Sequence, residues 1–295
     1  MRFEHTIGGK VMRLGFHMPL SGGVGKQLNR ASELGMECIQ IFSGNPTSWK
    51  PGKITPKSRD LFIKKQEELQ IKPLVFHTPY LINLASPKND IREKSIYLLN
   101  AALEKAKAYD APYVVTHIGS HVGEGVEKGI DLVSYSLEKI MEDWPEGVEL
   151  LLENTSGAGS TLGGSLTELK KIIDKFSGTQ VLGCCFDTAH AWGAGYDISN
   201  VKEVETTLEL VNEQLGLDLI KVCHANDTNV PLGSTKDRHQ HIGEGNITDE
   251  GFGALLTHDS FTPKAVIMET PKNGTDCDQI NLQRLKKVVG RHEEE

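Results

Sequence analysis

The chain is short of long apolar runs. No segment is apolar enough over enough residues to span a bilayer, and the first residues, MRFEHTIGGKV, are too polar for a secretory signal. A cytoplasmic protein with no membrane partner is therefore expected. Cysteine is sparse and carries no Cys-x-x-Cys spacing. Cys38, Cys184, Cys185, Cys223 and Cys277 are odd in number and several sit inside strand-like runs, so buried reduced thiols are expected rather than disulfides or zinc-thiolate ligands. No Gly-x-Gly-x-x-Gly stands between a strand and a helix. GEG at Gly243 and GAGS at Gly157 read as turn glycines, not as a dinucleotide fingerprint. No Pro/Gly/Ser-rich linker divides the chain, which predicts a single domain over 12–290, a short N-terminal extension over 1–11 and a charged tail over 291–295. Basic charge is also short. The formal net charge is −8, and the lysines near Lys53, Lys64, Lys170 and Lys286 are too scattered to form a patch, which on its face argues against a nucleic-acid partner.

What the chain does have is a repeated alternation. Apolar, β-branched runs predict strands: RLGFH ending at His17, ECIQIF at Phe42, PLVFH at His77, YVVTH at His117, VELLLE at Glu153, VLGCCFD at Asp187, LIKVCH at His224 and AVIMET around Glu269. Amphipathic helical patterns lie between them, among them KQLNRASELG from Lys26, IREKSIYLLNAALEKAKAYD from Ile91, LVSYSLEKIMEDW from Leu132 and SLTELKKIIDKF from Ser165. The last begins with a cap pattern, Ser165 followed three residues later by Glu168. Eight strand–helix units in strict order predict an α/β fold of the (β/α)8 TIM-barrel type. A doubly wound open sheet would not bring all the strand ends around one axis.

Most of those strands end in a metal-binding side chain: His77, His117, Glu153, Asp187, His224 and Glu269. Strand C-termini of a parallel barrel open on one face, so these groups are expected to converge. His190, three residues after Asp187, and the pair Asp237 and His239 in STKDRHQH arrive from loops on the same face. Imidazole and carboxylate without thiolate suit zinc, manganese or iron, and the donor set is large enough for a trinuclear cluster. Three divalent ions against four ligand carboxylates would make the pocket locally cationic within an acidic chain. Several ions sharing carboxylates are suited to phosphodiester hydrolysis, because they generate a nucleophile and stabilise the attacking and leaving oxygens.

HTPYLINLASP from His77, THIGSH from Thr116, LLENTSGAGSTLG from Leu151, FDTAHAWGAGYD from Phe186, HANDTNVPLGSTKDRHQHIGEG from His224 and METP from Met268 resemble, in order and over nearly the whole chain, the signature blocks of the endonuclease IV family of apurinic/apyrimidinic (AP) endonucleases. The resemblance implies a DNA-repair hydrolase with three Zn2+ ions, Mn2+ or Fe2+ being alternatives at individual positions. It would cut duplex DNA 5′ to an abasic site, leave a 3′-hydroxyl and a 5′-deoxyribose phosphate, and act as a diesterase on blocked 3′ ends. Carried over by motif, His77, His117 and Glu153 would hold one zinc; Glu153, Asp187, His224 and Glu269 a second; His190, Asp237 and His239 the third. Glu153 as bridge and Glu269 beside a metal-bridging hydroxide would carry catalysis. The protein is expected to act as a monomer.

The same resemblance implies that Tyr80 and Leu81 enter the base stack beside a flipped abasic nucleotide, and that Asn45 and loop amides at Gly44 and Gly119 hold backbone phosphates. FSGNPTSW departs from the pattern at Thr47, where an arginine reaching into the DNA is expected. His17 reads as pocket lining, His121 and His241 as outer contacts, His5, His258 and His292 as solvent-facing, and Trp49 and Trp192 as packing. The competing reading is a metal-dependent sugar isomerase or epimerase of the xylose-isomerase-like barrel type, which uses one or two metals and has no need of the ligands at His190, Asp237 and His239. A DNA-damage binder keeping metals for structure alone is a third.

Overall fold

The computed structural model describes residues 6–7, 10–19, 24–179, 181–274 and 276–290. His5, His292 and the tail 291–295 lie outside the described residues, as does most of the expected N-terminal extension. Of that extension Thr6–Ile7 (β1) and Lys10–Val11 (β2) form a short antiparallel pair.

Eight parallel strands close into a barrel: β3 (Arg13–His17), β4 (Cys38–Phe42), β5 (Leu74–His77), β6 (Tyr113–His117), β7 (Glu149–Glu153), β8 (Leu182–Asp187), β9 (Ile220–His224) and β10 (Ala265–Met268), the last pairing with β3. Each coincides with an expected apolar run, and β10 stops one residue short of Glu269. The ring of helices outside consists of α1 (Val24–Glu33), α2 (Pro56–Leu69), α3 (Asn89–Ala108), α4 (Val126–Met141), α5 (Leu166–Asp174), α6 (Thr188–Ala194), α7 (Val201–Gln214), α8 (Thr248–Thr257) and α9 (Cys277–Val288). None of the described helices is long and apolar enough to cross a membrane.

Strand side chains alternate between two cores. Outward positions such as Leu14, Ile39, Phe76, Val114, Leu152, Phe186 and Cys223 pack under the helices. Inward ones, Cys38, Val75, Tyr113, Val115, Leu151, Cys185, Val222, Ala265 and Ile267, fill the barrel as a separate apolar cluster. The candidate ligands continue that inward series. His77 follows Val75 by two residues, and the same step leads from Val115 to His117, Leu151 to Glu153, Cys185 to Asp187, Val222 to His224 and Ile267 to Glu269. A hydrophobic plug therefore floors a polar mouth on every one of these strands.

Two local features set the height of the ligands. A register shift between Cys184 and Cys185 leaves Asp187 opposite His224. The residue passed over is Lys221 on β9, so the irregularity brings inward-facing His224, rather than outward-facing Cys223, level with Asp187. At Gly15 on β3 a Cβ would lie 1.9 Å from the Cys38 carbonyl oxygen, so only glycine lets β3 and β4 meet there.

The cap at α5 differs from the expected box. Ser165 is at the N-cap, but its hydroxyl pairs with Thr167 at 2.7 Å, and the Glu168 carboxylate accepts from the Gly163 amide at 2.6 Å. The carboxylate satisfies a loop donor before the helix rather than the N-cap amide. Four cysteines are buried thiols as expected; Cys277, at the start of α9, is only half-buried.

Candidate metal centre

The barrel mouth gathers three overlapping groups whose ligand atoms lie within 4.8 Å of one another: His77, His117 and Glu153; Glu153, Asp187, His224 and Glu269; Asp187, His190 and His239. Glu153 joins the first two. Its Oε2 lies 3.2 Å from His77 Nε2 and 3.3 Å from His117 Nε2, while its Oε1 lies 3.1 Å from His224 Nδ1. Asp187 joins the second and third, with Oδ2 at 3.8 Å from both His224 Nδ1 and His239 Nε2. This second sharing goes beyond the grouping expected from sequence. Asp237 stands against the third group, 3.3 Å from His190 Nε2 and 3.5 Å from His239 Nε2, with its side chain about half exposed.

Secondary structure fixes these positions. Asp187 ends β8 and caps α6, its Oδ1 accepting from the His190 amide at 2.8 Å, so the first turn of the helix carries His190 back over the same mouth. Asp237 and His239 come from the segment after β9. The Asp227 carboxylate gathers that segment by accepting from the amides of Thr228 (2.7 Å), Gly245 (2.9 Å) and Ile247 (3.1 Å).

The donor set fits divalent cations on a structural observation: the outward nitrogens of the histidines are already committed. Nδ1 donates to a main-chain carbonyl in His77 (Thr78, 2.7 Å), His190 (Asn154, 2.9 Å) and His239 (Glu269, 3.2 Å), which turns Nε2 toward the carboxylates. His239 Nε2 is buried without a hydrogen-bond partner. That is the arrangement in which a ring nitrogen serves as a metal ligand. Electrostatics agree. Burial by itself would raise the Glu153 and Glu269 carboxyls, yet the surrounding imidazoles, His117 and His224 foremost, hold both well below the usual carboxylate range. Burial would likewise lower His224, but the Glu269 and Glu153 carboxylates push it up to about 9. The cluster is thus an anionic pocket that draws in positive charge, whether protons or metal ions.

Residues 28–288 match the xylose isomerase-like TIM barrel family. A probable endonuclease 4 of Halothermothrix orenii is 38% identical over 276 residues, covering 92% of this chain and 99% of that protein. The chain belongs to the endonuclease IV family. The crystal structure of endonuclease IV from Thermus thermophilus superimposes with a TM-score of 0.82 at 31% identity, over 95% of this chain and all of that one. A D-tagatose 3-epimerase-like protein shares the fold, at a TM-score of 0.72 and 24% identity over 95% of this chain and 98% of that one.

Other residues that the family signature singled out fall on or near the mouth. Tyr80 is 66% exposed, its ring edge-on to Phe42 at 5.1 Å and 6.1 Å from His77. Partial burial, then the carboxylates of Glu269, Glu153 and Asp237, push its phenol up to about 12, so it stays neutral. Leu81 follows it, half-buried. Asn45 is exposed, but its Oδ1 accepts from both the amide and the hydroxyl of Thr47, each at 3.0 Å. Thr47 therefore stiffens the loop through Asn45. His17 touches the cluster as expected, with Nδ1 donating to Glu269 Oε1 at 2.8 Å. His241 is held between Asn281 and Asn273, and His121 Nδ1 accepts from the Gly125 amide. His258 is half-buried and lies 3.1 Å from Glu205. Trp192 is buried and donates to the Val230 carbonyl at 2.8 Å, and Trp49 packs against the core, so both serve packing.

The sequence reading missed the amides that hold the ligands. Asn226 donates to Asp187 Oδ2 and accepts from the Glu269 amide, both at 2.7 Å. Asn154 accepts from the Asp187 amide at 2.7 Å and donates to its carbonyl at 3.0 Å. Gln40 bridges His224 and Glu269. One signal could have found them: a carboxamide inside or just beyond a buried strand must have partners.

Proposed function

We propose that this protein is a zinc-dependent AP endonuclease of DNA repair. It hydrolyses the phosphodiester bond 5′ to an abasic site in duplex DNA, leaves a 3′-hydroxyl and a 5′-deoxyribose phosphate, and clears blocked 3′ ends by the same chemistry. The observation that carries this reading is the sharing of Glu153 and Asp187 among three ligand groups, which suits three adjacent cations rather than one. His77, His117 and Glu153 would hold the first; Glu153, Asp187, His224 and Glu269 the second; His190, Asp237 and His239, with Asp187 beside them, the third. Divalent ions held there supply Lewis acidity: they make water nucleophilic at neutral pH and neutralise charge developing on phosphate oxygens.

The chain's own residues do the rest. Glu153, 1% exposed, would be shared between the first two groups, and Glu269, just past β10, would complete the second. Exposed Tyr80 and its neighbour Leu81 enter the base stack where a nucleotide without a base is the cheapest to extrude. Asn45 offers its amide nitrogen, and the loops at Gly44 and Gly119 their amides, to backbone phosphates. A sugar isomerase or epimerase on this fold would leave Asp187, His190 and His239 without a role as a third group.

The test is incision of a labelled duplex carrying one tetrahydrofuran abasic analogue, with metal counted on the same preparation. The analogue cannot undergo β-elimination, so a 5′ cut with about three metals per chain supports hydrolysis by this site. Fully metallated protein that leaves the duplex intact overturns the proposal in favour of sugar chemistry.

A further inference from the structure

Gln40 lies in the middle of β4, fully buried, between Cys38 of the inner apolar cluster and Phe42 at the barrel mouth. A neutral carboxamide in that position has to be hydrogen-bonded. Its Nε2 donates to Glu269 Oε1 at 2.8 Å, and its Oε1 accepts from His224 Nε2 at 2.9 Å. This orientation is dictated by chemistry. An ionised carboxylate only accepts, so the amide nitrogen must face Glu269 and the amide oxygen must face His224. His224 then keeps a hydrogen on Nε2 and faces Nδ1, the nitrogen that would be left for a cation, to Glu153 Oε1 (3.1 Å), Glu269 Oε2 (3.5 Å) and Asp187 Oδ2 (3.8 Å).

His224 differs in this from His77, His190 and His239, whose outward nitrogens donate to main-chain carbonyls. For His224 a side chain from a strand across the barrel takes the place of a main-chain carbonyl. We infer that Gln40 is the positioning residue of the second ligand group: it selects the ring nitrogen that His224 presents, holds the Glu269 carboxylate in place, and so sets the affinity for the ion between them. This inference rests on the metal reading above, but not on the identity of the substrate. His17 lies beside Gln40 rather than opposite it, its Nδ1 2.8 Å from the same Glu269 oxygen and 2.9 Å from Gln40 Nε2; it does not reach His224 Nε2, so the tautomer of His224 is left to Gln40.

Two variants separate positioning from packing. Gln40→Met keeps the volume and removes both hydrogen bonds. Gln40→Glu keeps an acceptor for His224 but sets a carboxylate against Glu269. Zinc-loaded wild type and variants are dialysed against increasing concentrations of a chelator, and zinc per chain and thermal melting are measured on each sample. Both variants are expected to lose one ion per chain at roughly 10–100-fold lower free chelator strength than wild type, while the remaining ions leave together with those of wild type. Excess zinc is expected to restore incision to Gln40→Met, which it would not do for a packing defect. Variants that retain all their zinc as wild type does, or that lose all ions together, overturn the inference. Wild type that binds no zinc removes the metal reading and this inference with it. Should Gln40→Met fail to fold, Gln40→Glu decides, since its hydrophilic end differs from the native one by a single group.

Discussion

At the residue scale, Glu269 is the candidate ligand with the most conflicting demands. It is reached by Gln40 and His17 on Oε1, faces His224 with Oε2, and receives its own main-chain support from Asn226. Glu269→Gln keeps the shape and removes the charge, so the fold should persist while incision falls by more than about 100-fold, beyond the loss of an outer hydrogen-bond partner. A melting temperature near that of wild type combined with normal cutting would sink the assignment of Glu269 as a ligand. Tyr80 makes the opposite kind of contribution. It touches Phe42 and His77 only by its ring and is largely exposed, so its removal costs little stability. Tyr80→Ala with Leu81→Ala should raise KM for abasic duplex about tenfold or more, through the loss of stacking, with zinc content unchanged. Undiminished duplex cleavage by the double variant would exclude insertion into the base stack.

At the scale of elements, the close contact of β3 with β4 governs how the mouth is built. A methyl group at Gly15 would collide with the Cys38 main chain, which cannot yield without moving a barrel strand. Gly15→Ala should therefore destabilise the protein by about 3 kcal/mol or more, at or above the usual cost of overpacking. It should also disturb Gln40 and His17, which lie on those two strands and meet at Glu269. Chemical denaturation reads the first effect, and a midpoint within error of wild type would show that the strands can separate freely. The register shift between β8 and β9 acts in the same way, by bringing His224 level with Asp187. Asp187 in turn starts α6 and so delivers His190. Strand pairing and the start of α6 together thus place members of two candidate ligand groups.

At the scale of the whole molecule the dominant fact is charge. An acidic chain of net −8 proposed to act on a polyanion needs its positive potential concentrated in one place, and the mouth is where cations would be drawn. In metal-free protein that work falls to protons. His224, pushed up to about 9, and His190, also raised by Asp187, Asp237 and Glu153, bind protons more tightly folded than unfolded, where imidazole titrates near 6.5. Their stabilisation is complete below about pH 6.5 and is lost as the pH rises toward 9. Glu153 and Glu269, held low by the imidazoles, and Asp237, held at about 2 chiefly by His190, act in the reverse sense: their stabilisation is present above about pH 4 and is lost as the pH falls through their folded values. Burial lowers His17 and His117, which oppose this on the acid side by costing stability below about pH 6.5, so the clear expectation for metal-stripped protein is on the alkaline side: it should weaken as the pH rises from about 6.5 to 9. Zinc should abolish the alkaline loss, because divalent ions then neutralise the carboxylates. Urea midpoints across this range with and without chelator test it; equal midpoints at pH 6 and pH 9 without metal would refute it.

The strands, several of the helices between them and the candidate ligands at or just past the ends of six of the eight strands were legible in the chain before folding. These are local matters: a run of alternating or continuous apolar residues fixes a strand, and the period of two carries the inward face from Val75 to His77 or from Leu151 to Glu153. Once the strands are parallel and the sheet is closed, convergence of their C-terminal side chains follows. How those side chains are used was settled by packing between distant segments. Gln40 meets His224 across 184 positions of sequence, and no local pattern relates them. The placing of His224 beside Asp187 depends on a register shift between β8 and β9 that neither strand's sequence displays, and the diversion of Glu168 to Gly163 depends on where the loop before α5 leaves an unmet amide. Hydrophobic alternation places a side chain on a face of the barrel. Its hydrogen-bond partner, its tautomer and its choice of ligand nitrogen are fixed only when barrel closure brings distant donors and acceptors within about 3 Å of each other.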